Sequence, residues 1–447
     1  MEPVTLAIAV VCAVLILLVL RVPIAYALGV SASVGLILFF GWRPGGDPNL
    51  LAGLRPTLAM IGSSAYGFVH NYPMSMIPLF IGLGHVAYHA GITTDFYYAL
   101  RVLLRRLPGG LAMASVNGCA GFSAITGSSV ACAAAMGRIA VPEMLRYGYD
   151  PRLAAGSVAA GGTLGSLIPP SLLFVIYAIF TEQSVKGLFL AGIVPGLLSL
   201  IGFLVTILIW CRLRPQHAPQ DDTAPTNAER IASLTGLWPA AILFLVVVGG
   251  IYLGIFTPTE AAAVSLVVAI VIGCVRRRLT LSLLAEAGRE TVRQTTMIFL
   301  IALAAKVFTS FVSLTRITPT ALEWLQQSDP SFLVVILAVV LFYLIIGMFL
   351  DSIGILVLTL PFTVPLMMAY DVNLIWFGVI VIKLLEVGLM TPPIGLNVFV
   401  IKGVSPPEVT LRKVFQGTAA FLLLDAVVLI LILSIPALSL WLPNSAF

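Results

Sequence analysis

Two short segments combine paired prolines with small and hydroxyl-bearing residues inside long apolar stretches: GSLIPPS at 165–171 and GLMTPPIG at 388–395. Paired prolines interrupt a helix, because each ring removes a backbone donor and crowds the preceding turn. Inside a bilayer such a break persists only where the freed backbone groups find other partners, usually at a cavity or an ion site. Their carbonyl and hydroxyl oxygens suit a small cation such as Na⁺, and the following helix amino termini suit a carboxylate.

Two further segments carry oxygen ligands at the turns of apolar helical pairs. The first comprises Gly127 and four hydroxyl-bearing residues within seven positions: Ser123, Thr126, Ser128 and Ser129. The second comprises Asp351 and Ser352, where Asp351 either binds a cation or caps a helix. A single Ser or Thr in an apolar helix commonly bonds its own backbone. Four such residues in one turn, together with a double-proline break, favour an ion or substrate site.

Charged residues inside apolar sequence require separate explanations. Lys383 and Glu386 are three residues apart on one helical face, so a mutual ion pair is the first explanation, and a functional role for Glu386 is the alternative. Glu260 follows Thr257 and Pro258 in the pattern of a helix cap. The same reasoning predicts helix starts at Asp150-Pro151 and at Ser405-Pro406-Pro407-Glu408.

The elements that position these residues are membrane helices. Apolar residues make up 60% of the 447-residue chain and charged residues only 10%, with a mean hydropathy of +1.09. This composition predicts an all-α polytopic membrane protein whose environment is the lipid bilayer. The net charge of +5 arises from loop residues that report orientation, so no nucleic-acid partner is expected. The five cysteines show no paired spacing and indicate neither a disulfide framework nor a metal site.

Orientation follows from the basic loops, which we place in the cytoplasm. Both termini are then periplasmic, and the polar segment 212–235 is a cytoplasmic linker. The predicted spans are 4–20, 24–41, 73–91, 153–181, 187–211, 237–255, 259–275, 294–314, 373–403 and 417–442. Segments 108–148 and 331–370 have both ends on one side, which predicts re-entrant hairpins.

The halves of the chain follow the same order, which predicts two inverted repeats. The first, 1–211, contains scaffold spans within 1–91, the hairpin 108–148, the broken helix 153–181 and the closing span 187–211. The second, 236–447, contains scaffold spans within 237–314, the hairpin 331–370, the broken helix 373–403 and the closing span 417–442. This arrangement of hairpins and discontinuous helices is typical of a secondary transporter rather than an enzyme.

GSSVACAAAMGRIAVPEMLRYGYDPRLAAGSVAAGGTLGSLIPPS at 127–171 and LEVGLMTPPIGLNVFV at 385–400 resemble the large membrane (M) subunit of TRAP transporters, the DctM-like family. The resemblance covers essentially the whole chain. It implies Na⁺-coupled uptake of a small organic anion, a carboxylate or acidic sugar, across the bacterial inner membrane by an elevator mechanism. It also implies a periplasmic substrate-binding protein (P-type) and a separate four-helix membrane subunit (Q-type), with Na⁺ as coupling ion and no other cofactor.

The resemblance also implies which positions form the sodium and substrate region. They are Ser128, Ser129, Gly162, Thr163, Gly165, Pro169, Pro170, Gly388, Thr391, Pro392, Pro393 and Gly395. Na⁺ is expected at the hairpin tips and helix breaks.

Two other classes of protein remain open. A binding-protein-independent sodium/dicarboxylate-type carrier shares inverted hairpins, but its expected Ser-Asn-Thr tips are missing from this sequence. An intramembrane serine protease would use the Gly-Ser-Ser turn as its nucleophile and needs a histidine at membrane depth. The candidates His70, His85 and His89 all lie in or near one early segment.

Overall fold

The structure is a computed structural model that describes residues 2–42, 49–219 and 226–446. The described chain is helical and contains no strand. The first half contains α1 Pro3–Val19, α2 Ile24–Gly41, α3 Leu50–Val69, α4 Met76–His89, α5 Ile92–Leu104, α6 Gly110–Thr126, α7 Ser129–Arg146, α8 Pro151–Thr163, α9 Leu172–Thr181 and α10 Val185–Leu213. The second half contains α11 Asn227–Phe244, α12 Gly250–Tyr252, α13 Pro258–Val275, α14 Leu281–Thr315, α15 Ile317–Ser328, α16 Phe332–Gly347, α17 Ser352–Met368, α18 Leu374–Gly388, α19 Leu396–Val404, α20 Leu411–Ser434 and α21 Ala437–Ala446.

The chain forms two compact units. The first unit consists of the described residues of 1–75, 293–339 and 353–374. Within it α2 packs against both α1 and α3. A Cβ atom at Gly53 of α3 would lie 2.2 Å from the Ile37 carbonyl oxygen of α2, so the two backbones meet directly.

The second unit consists of the described residues of 76–292, 340–352 and 375–447. Its centre is α8, which packs against α6, α7 and α20. The sequence of α8 is almost entirely small residues, and a Cβ atom at Gly156 would lie 2.5 Å from the Gly417 carbonyl carbon of α20. Small residues allow membrane helices to approach closely. The second unit holds both double-proline segments.

Helix ends follow local sequence chemistry at two of the three predicted starts. Thr257 and Glu260 form a reciprocal capping box at the start of α13, as predicted. Asp150 caps α8, and the Arg152 side chain that donates to its carboxylate holds the pKa of Asp150 below its usual range. The predicted start at 405–408 is wrong. Thr410 caps α20 instead, and the Ser405 hydroxyl donates to the Ile401 carbonyl of the preceding helix.

Several helices differ from the predicted spans. Neither α3 nor α15 was expected, and Pro56 lies inside α3. The span predicted at 73–91 continues through a 61° bend into α5, with Gly91 at φ +70° between the two helices. The closing span predicted at 417–442 is two helices, because α20 ends before Pro436.

Six helices of the described chain are long and apolar enough to cross a membrane. They are Ile24–Gly41, Val185–Leu213, Ser233–Tyr252, Pro258–Val275, Leu281–Thr315 and Leu411–Ser434. The arms Phe332–Gly347 and Ser352–Met368 are shorter apolar helices. A multi-pass membrane protein is therefore confirmed, while the re-entrant hairpins and the inverted repeats stay predictions. Part of the linker 212–235, at 220–225, lies outside the described residues.

Candidate functional site

The turn between α6 and α7 lies directly against the first double-proline break. Gly127 ends α6 at φ +61°, where its own N–H donates to the Ser123 carbonyl at 2.8 Å. Its carbonyl accepts from the N–H of Leu172, the first residue of α9, at 3.3 Å. A Cβ atom at Gly165 would lie 2.9 Å from both the nitrogen and the Cα atom of Ser129. Glycine at these two positions lets the turn and the break meet backbone to backbone.

Hydroxyl groups at this contact have different roles. Ser129 and Ser166 form a buried hydrogen bond of 2.9 Å that joins α7 to the break. The Ser128 hydroxyl caps α7 by accepting from the Ala131 N–H at 3.4 Å. Thr126 and Thr163 donate to carbonyls of their own helices, at 3.1 Å and 2.7 Å. Ser123 is fully buried, and within the described chain its hydroxyl has no hydrogen-bond partner.

The second double-proline break has a similar local arrangement. The helix stops at Gly388 and resumes at Leu396, where the Asn397 N–H donates across the break to the Leu389 carbonyl at 3.0 Å. Gly395 takes φ +59°, and the Thr391 hydroxyl donates to the Val387 carbonyl at 2.7 Å. In both breaks the peptide bond between the prolines is cis, at 169–170 and at 392–393.

The end of α16 approaches this second break. A Cβ atom at Gly388 would lie 2.7 Å from the backbone of Gly347, so this turn also faces a break through a glycine pair. Asp351 and Ser352 follow at the turn before α17. The Ser352 hydroxyl is buried and, among the described residues, has no hydrogen-bond partner. The two breaks differ in exposure: Pro169 and Pro170 are buried, whereas Pro392 and Pro393 are exposed.

Glu386 is an acidic residue beside the first turn and break. Its side chain lies beside the Ser129 and Ser166 hydroxyls and is only 1% exposed. Across the described part of the chain, neither of its carboxylate oxygens has a partner in hydrogen-bond geometry. Buried polar groups in native proteins normally have partners, so each exception calls for an explanation.

Asn397 reaches the same region from the start of α19. A Cβ atom at Gly162 would lie 3.3 Å from the Asn397 amide nitrogen and 3.4 Å from the Ser129 carbonyl oxygen. Asn397 is fully buried, and neither atom of its side-chain amide has a hydrogen-bond partner among the described residues. The Glu386 carboxylate lies beside Ser129, the Asn397 amide lies across Gly162 from it, and both side chains offer oxygen ligands.

The predicted ion pair between Lys383 and Glu386 is wrong. The Lys383 ammonium instead donates to the Asp425 carboxylate of α20 and to the Ser199 hydroxyl of α10, the latter at 3.0 Å. Lys383 and Asp425 are 2% and 0% exposed, which places this ion pair deep in the second unit. Sequence spacing favoured the pair within one helix because it carries no information about contacts between helices.

The structure thus brings together most of the predicted site residues and adds three. The first turn, the first break and Glu386 converge, and Gly388 lies at the second break. Ser166 was missed although it stands inside the first double-proline motif, and Asn397 was missed although it lies two residues after the second. Asp425 was also missed, although a single acid within an apolar span is itself an indication of function.

Carboxylate, amide and hydroxyl oxygens form a donor set for a hard cation. In the described chain no group of three or more His, Cys, Asp or Glu residues is arranged to hold a metal ion. His85 and His89 lie against Glu290, at 3.1 Å and 2.9 Å, and Ser129 is engaged with Ser166. These contacts give no support to the serine-protease alternative, which stays a hypothesis.

Comparison with known proteins finds a matching family and several similar relatives. Residues 11–438 match the family described as the tripartite ATP-independent periplasmic transporter, DctM component. The chain is 33% identical to the C4-dicarboxylate TRAP transporter large permease protein DctM of Pseudomonas aeruginosa, over 94% of each chain. It is 30% identical to the isethionate TRAP transporter permease protein DctMQ of Oleidesulfovibrio alaskensis, over 94% of this chain and 64% of that protein.

A solved structure shares the fold at low sequence identity. The Alcanivorax borkumensis YdaH transporter superposes with a TM-score of 0.63 at 16% identity, covering 100% of this chain and 99% of that one. At this identity the similarity concerns the fold alone.

Proposed function

Because the chain belongs to the DctM-component family of tripartite ATP-independent periplasmic transporters, we propose that it is the large permease subunit of a Na⁺-coupled importer of a small organic anion. Membership makes it a secondary transporter subunit for organic acids. The names of the two relatives cover a C4-dicarboxylate and isethionate, which are both small anions. We extend that chemical class, and no single compound, to this chain.

The observation that carries the proposal is the polar cluster around Ser129. Two helix interruptions, the α6–α7 turn and α18 contribute to one buried group of Ser129, Ser166, Glu386 and Asn397. Its carboxylate and amide have no hydrogen-bond partners among the described residues. A dehydrated Na⁺ would coordinate the carboxylate and amide oxygens of this group, since the cation prefers such oxygen ligands.

The anion is proposed to bind where helices restart. Ser171 stands before α9, and Gly395 stands before α19. Both starts present the positive end of a helix dipole, which favours a carboxylate or sulfonate. Placing the cation and anion near the same breaks would couple their binding through charge neutralisation.

The remaining assignments follow from the family and are proposals for this chain. They are a bacterial inner-membrane location with periplasmic termini, a Q-type four-helix membrane subunit, a P-type periplasmic binding protein, and elevator movement of the hairpins and broken helices against a scaffold.

Reconstitution tests the proposal directly. Proteoliposomes containing the chain and its small subunit should accumulate a radiolabelled C4-dicarboxylate or isethionate only with an inward Na⁺ gradient and the cognate binding protein. Ser129→Ala should raise the Na⁺ concentration for half-maximal uptake. Ser115→Ala is the matched control, because the Ser115 hydroxyl is equally buried but donates to the Leu111 carbonyl of its own helix.

Three outcomes would count against the proposal. Uptake that is independent of Na⁺ would contradict the assignment of Na⁺ as the coupling ion. Accumulation by the chain alone would favour a binding-protein-independent carrier. Equal Na⁺ dependence in the Ser129→Ala and Ser115→Ala variants would remove Ser129 from the cation site.

A further inference from the structure

A buried ion pair lies next to the candidate cation site. The Lys383 ammonium contacts the Asp425 carboxylate, donates to the Ser199 hydroxyl at 3.0 Å and lies 5.9 Å from the centre of the Phe203 ring. Both charged side chains are almost completely buried. Removing one partner of such a pair leaves an uncompensated charge in a medium that solvates it poorly.

Three ionisable side chains interact in this region, and two of them form the ion pair. The charged groups that act on Glu386 are Lys383, one turn earlier on α18, and Asp425 of α20. The ammonium of Lys383 is bonded to Asp425, and its charge therefore compensates that carboxylate. Glu386 is then the acidic group that remains to bind a cation, and its side chain lies beside the Ser129 and Ser166 hydroxyls.

We propose that Lys383 is a tethered cation: its ammonium group, held by its own side chain, occupies the Asp425 carboxylate in place of a Na⁺ ion. The cluster then binds one Na⁺, at Glu386, instead of two. Lys383 is then a residue that sets the number and affinity of bound cations without contacting the transported anion. The inference rests on the proposed function, because it presupposes that Na⁺ binds beside Ser129. It adds a role for the Lys383–Asp425 pair.

The two partners of the pair have opposite effects on Na⁺ binding in this scheme. Lys383→Met exposes a second carboxylate, so the number of Na⁺ ions bound should increase by one. Asp425→Asn frees the ammonium to move toward Glu386, where it competes with Na⁺. The half-saturating Na⁺ concentration should then rise about tenfold or more, since a neighbouring charge changes ionic equilibria by that order. The double variant Lys383→Met/Asp425→Asn removes both charges and should bind Na⁺ as the native chain does.

The experiment measures ²²Na⁺ binding at constant pH to the full-length chain purified with its small subunit, without substrate. Each variant is titrated with Na⁺ against choline, and thermal stability is recorded along the same titration. Arg101→Met is the matched control, because it removes a cation paired with Glu143 elsewhere in the same unit. We expect the native number of ions and native affinity for this control.

The outcomes separate the two proposals. If the native chain binds no Na⁺, the sodium coupling of the proposed function fails. If the native chain binds Na⁺ but Asp425→Asn binds it with unchanged affinity, the tethered-cation inference is overturned and the coupling stands. Should Lys383→Met be unstable in choline, its recovery by Na⁺ supports the inference. Instability at every Na⁺ concentration, combined with an unchanged Asp425→Asn, contradicts it.

Discussion

Asn397 shows how a single side chain reveals an incomplete site. Its amide is fully buried at the first turn of α19, and its backbone N–H already bridges the break to Leu389. The side-chain oxygen and nitrogen have no hydrogen-bond partner among the described residues. Leaving a buried polar group unpaired costs about 1–3 kcal/mol. A bound ligand that interacts with the Asn397 amide would offset this cost and explain why the residue is present.

Replacing Asn397 should therefore change the stability of the folded chain and its Na⁺ binding in opposite directions. Asn397→Leu has similar size and removes the unpaired amide, so we expect the substrate-free chain to become more stable by about 1 kcal/mol. The same variant should bind Na⁺ more weakly, because one oxygen ligand is lost. Thermal unfolding without Na⁺ and ²²Na⁺ binding measure the two effects.

Asn117→Leu is the control for this prediction. The Asn117 amide donates to the Met113 carbonyl at 2.9 Å within α6, so its loss should reduce stability slightly and leave Na⁺ binding unchanged. If Asn397→Leu destabilises the chain and keeps native Na⁺ affinity, Asn397 is a packing residue and not a ligand.

At the scale of elements, the contact between the α6–α7 turn and the first break depends on the absence of a side chain at Gly165. Gly165→Ala places a Cβ atom 2.9 Å from the Ser129 backbone, which cannot move aside as a flexible side chain would. Overpacking of this kind costs about 1–3 kcal/mol. Separation of the turn from the break should also lower Na⁺-dependent uptake, because Ser129 and Ser166 lose their hydrogen bond.

Gly403→Ala provides the comparison, since a Cβ atom at Gly403 of α19 meets no atom within 4 Å. Alanine favours a helix over glycine by about 1 kcal/mol, so this variant should be neutral or slightly stabilising. Thermal unfolding and uptake are measured on both variants. Native stability and uptake in Gly165→Ala would show that the close approach is not required.

The sequence predicted a structural element correctly wherever a single residue type determines the local backbone conformation. The paired prolines located both helix interruptions, and Gly127 located the turn between α6 and α7. The helix α3 was missed because Arg55 and Pro56 divide its apolar stretch, although Pro56 is accommodated inside the helix. The Lys383–Asp425 pair was missed because it joins residues 42 positions apart, and only the packing of α18 against α20 brings them together.

At the scale of the whole molecule, the distribution of charged and apolar residues predicts the orientation of the chain in the membrane. Basic residues between or at the ends of helices, such as Arg106 and Arg412, are exposed, and we place both on the cytoplasmic side. Many large apolar side chains on the membrane-length helices are also exposed, which suits a lipid environment. Together these features predict how the chain crosses the bilayer, and hence whether the two halves are inverted.

Cysteine accessibility tests this orientation. In a background with Cys12, Cys119, Cys132, Cys211 and Cys274 replaced by serine, single cysteines at four exposed positions are labelled with a membrane-impermeant maleimide. Glu2→Cys and Ser445→Cys should react in intact right-side-out cells lacking the outer membrane. Arg106→Cys and Arg412→Cys should react only after permeabilisation, because the basic loops remain cytoplasmic.

The second half gives the decisive comparison, because Arg412 lies in the first turn of α20 and Ser445 lies near the end of α21. Labelling of these two positions from opposite sides means that the chain crosses the bilayer between them and ends in the periplasm. An inverted repeat requires this crossing, since the second half must begin inside and finish outside. Equal labelling of Arg412→Cys and Ser445→Cys from one side would rule out the closing span, and with it the inversion of the two breaks.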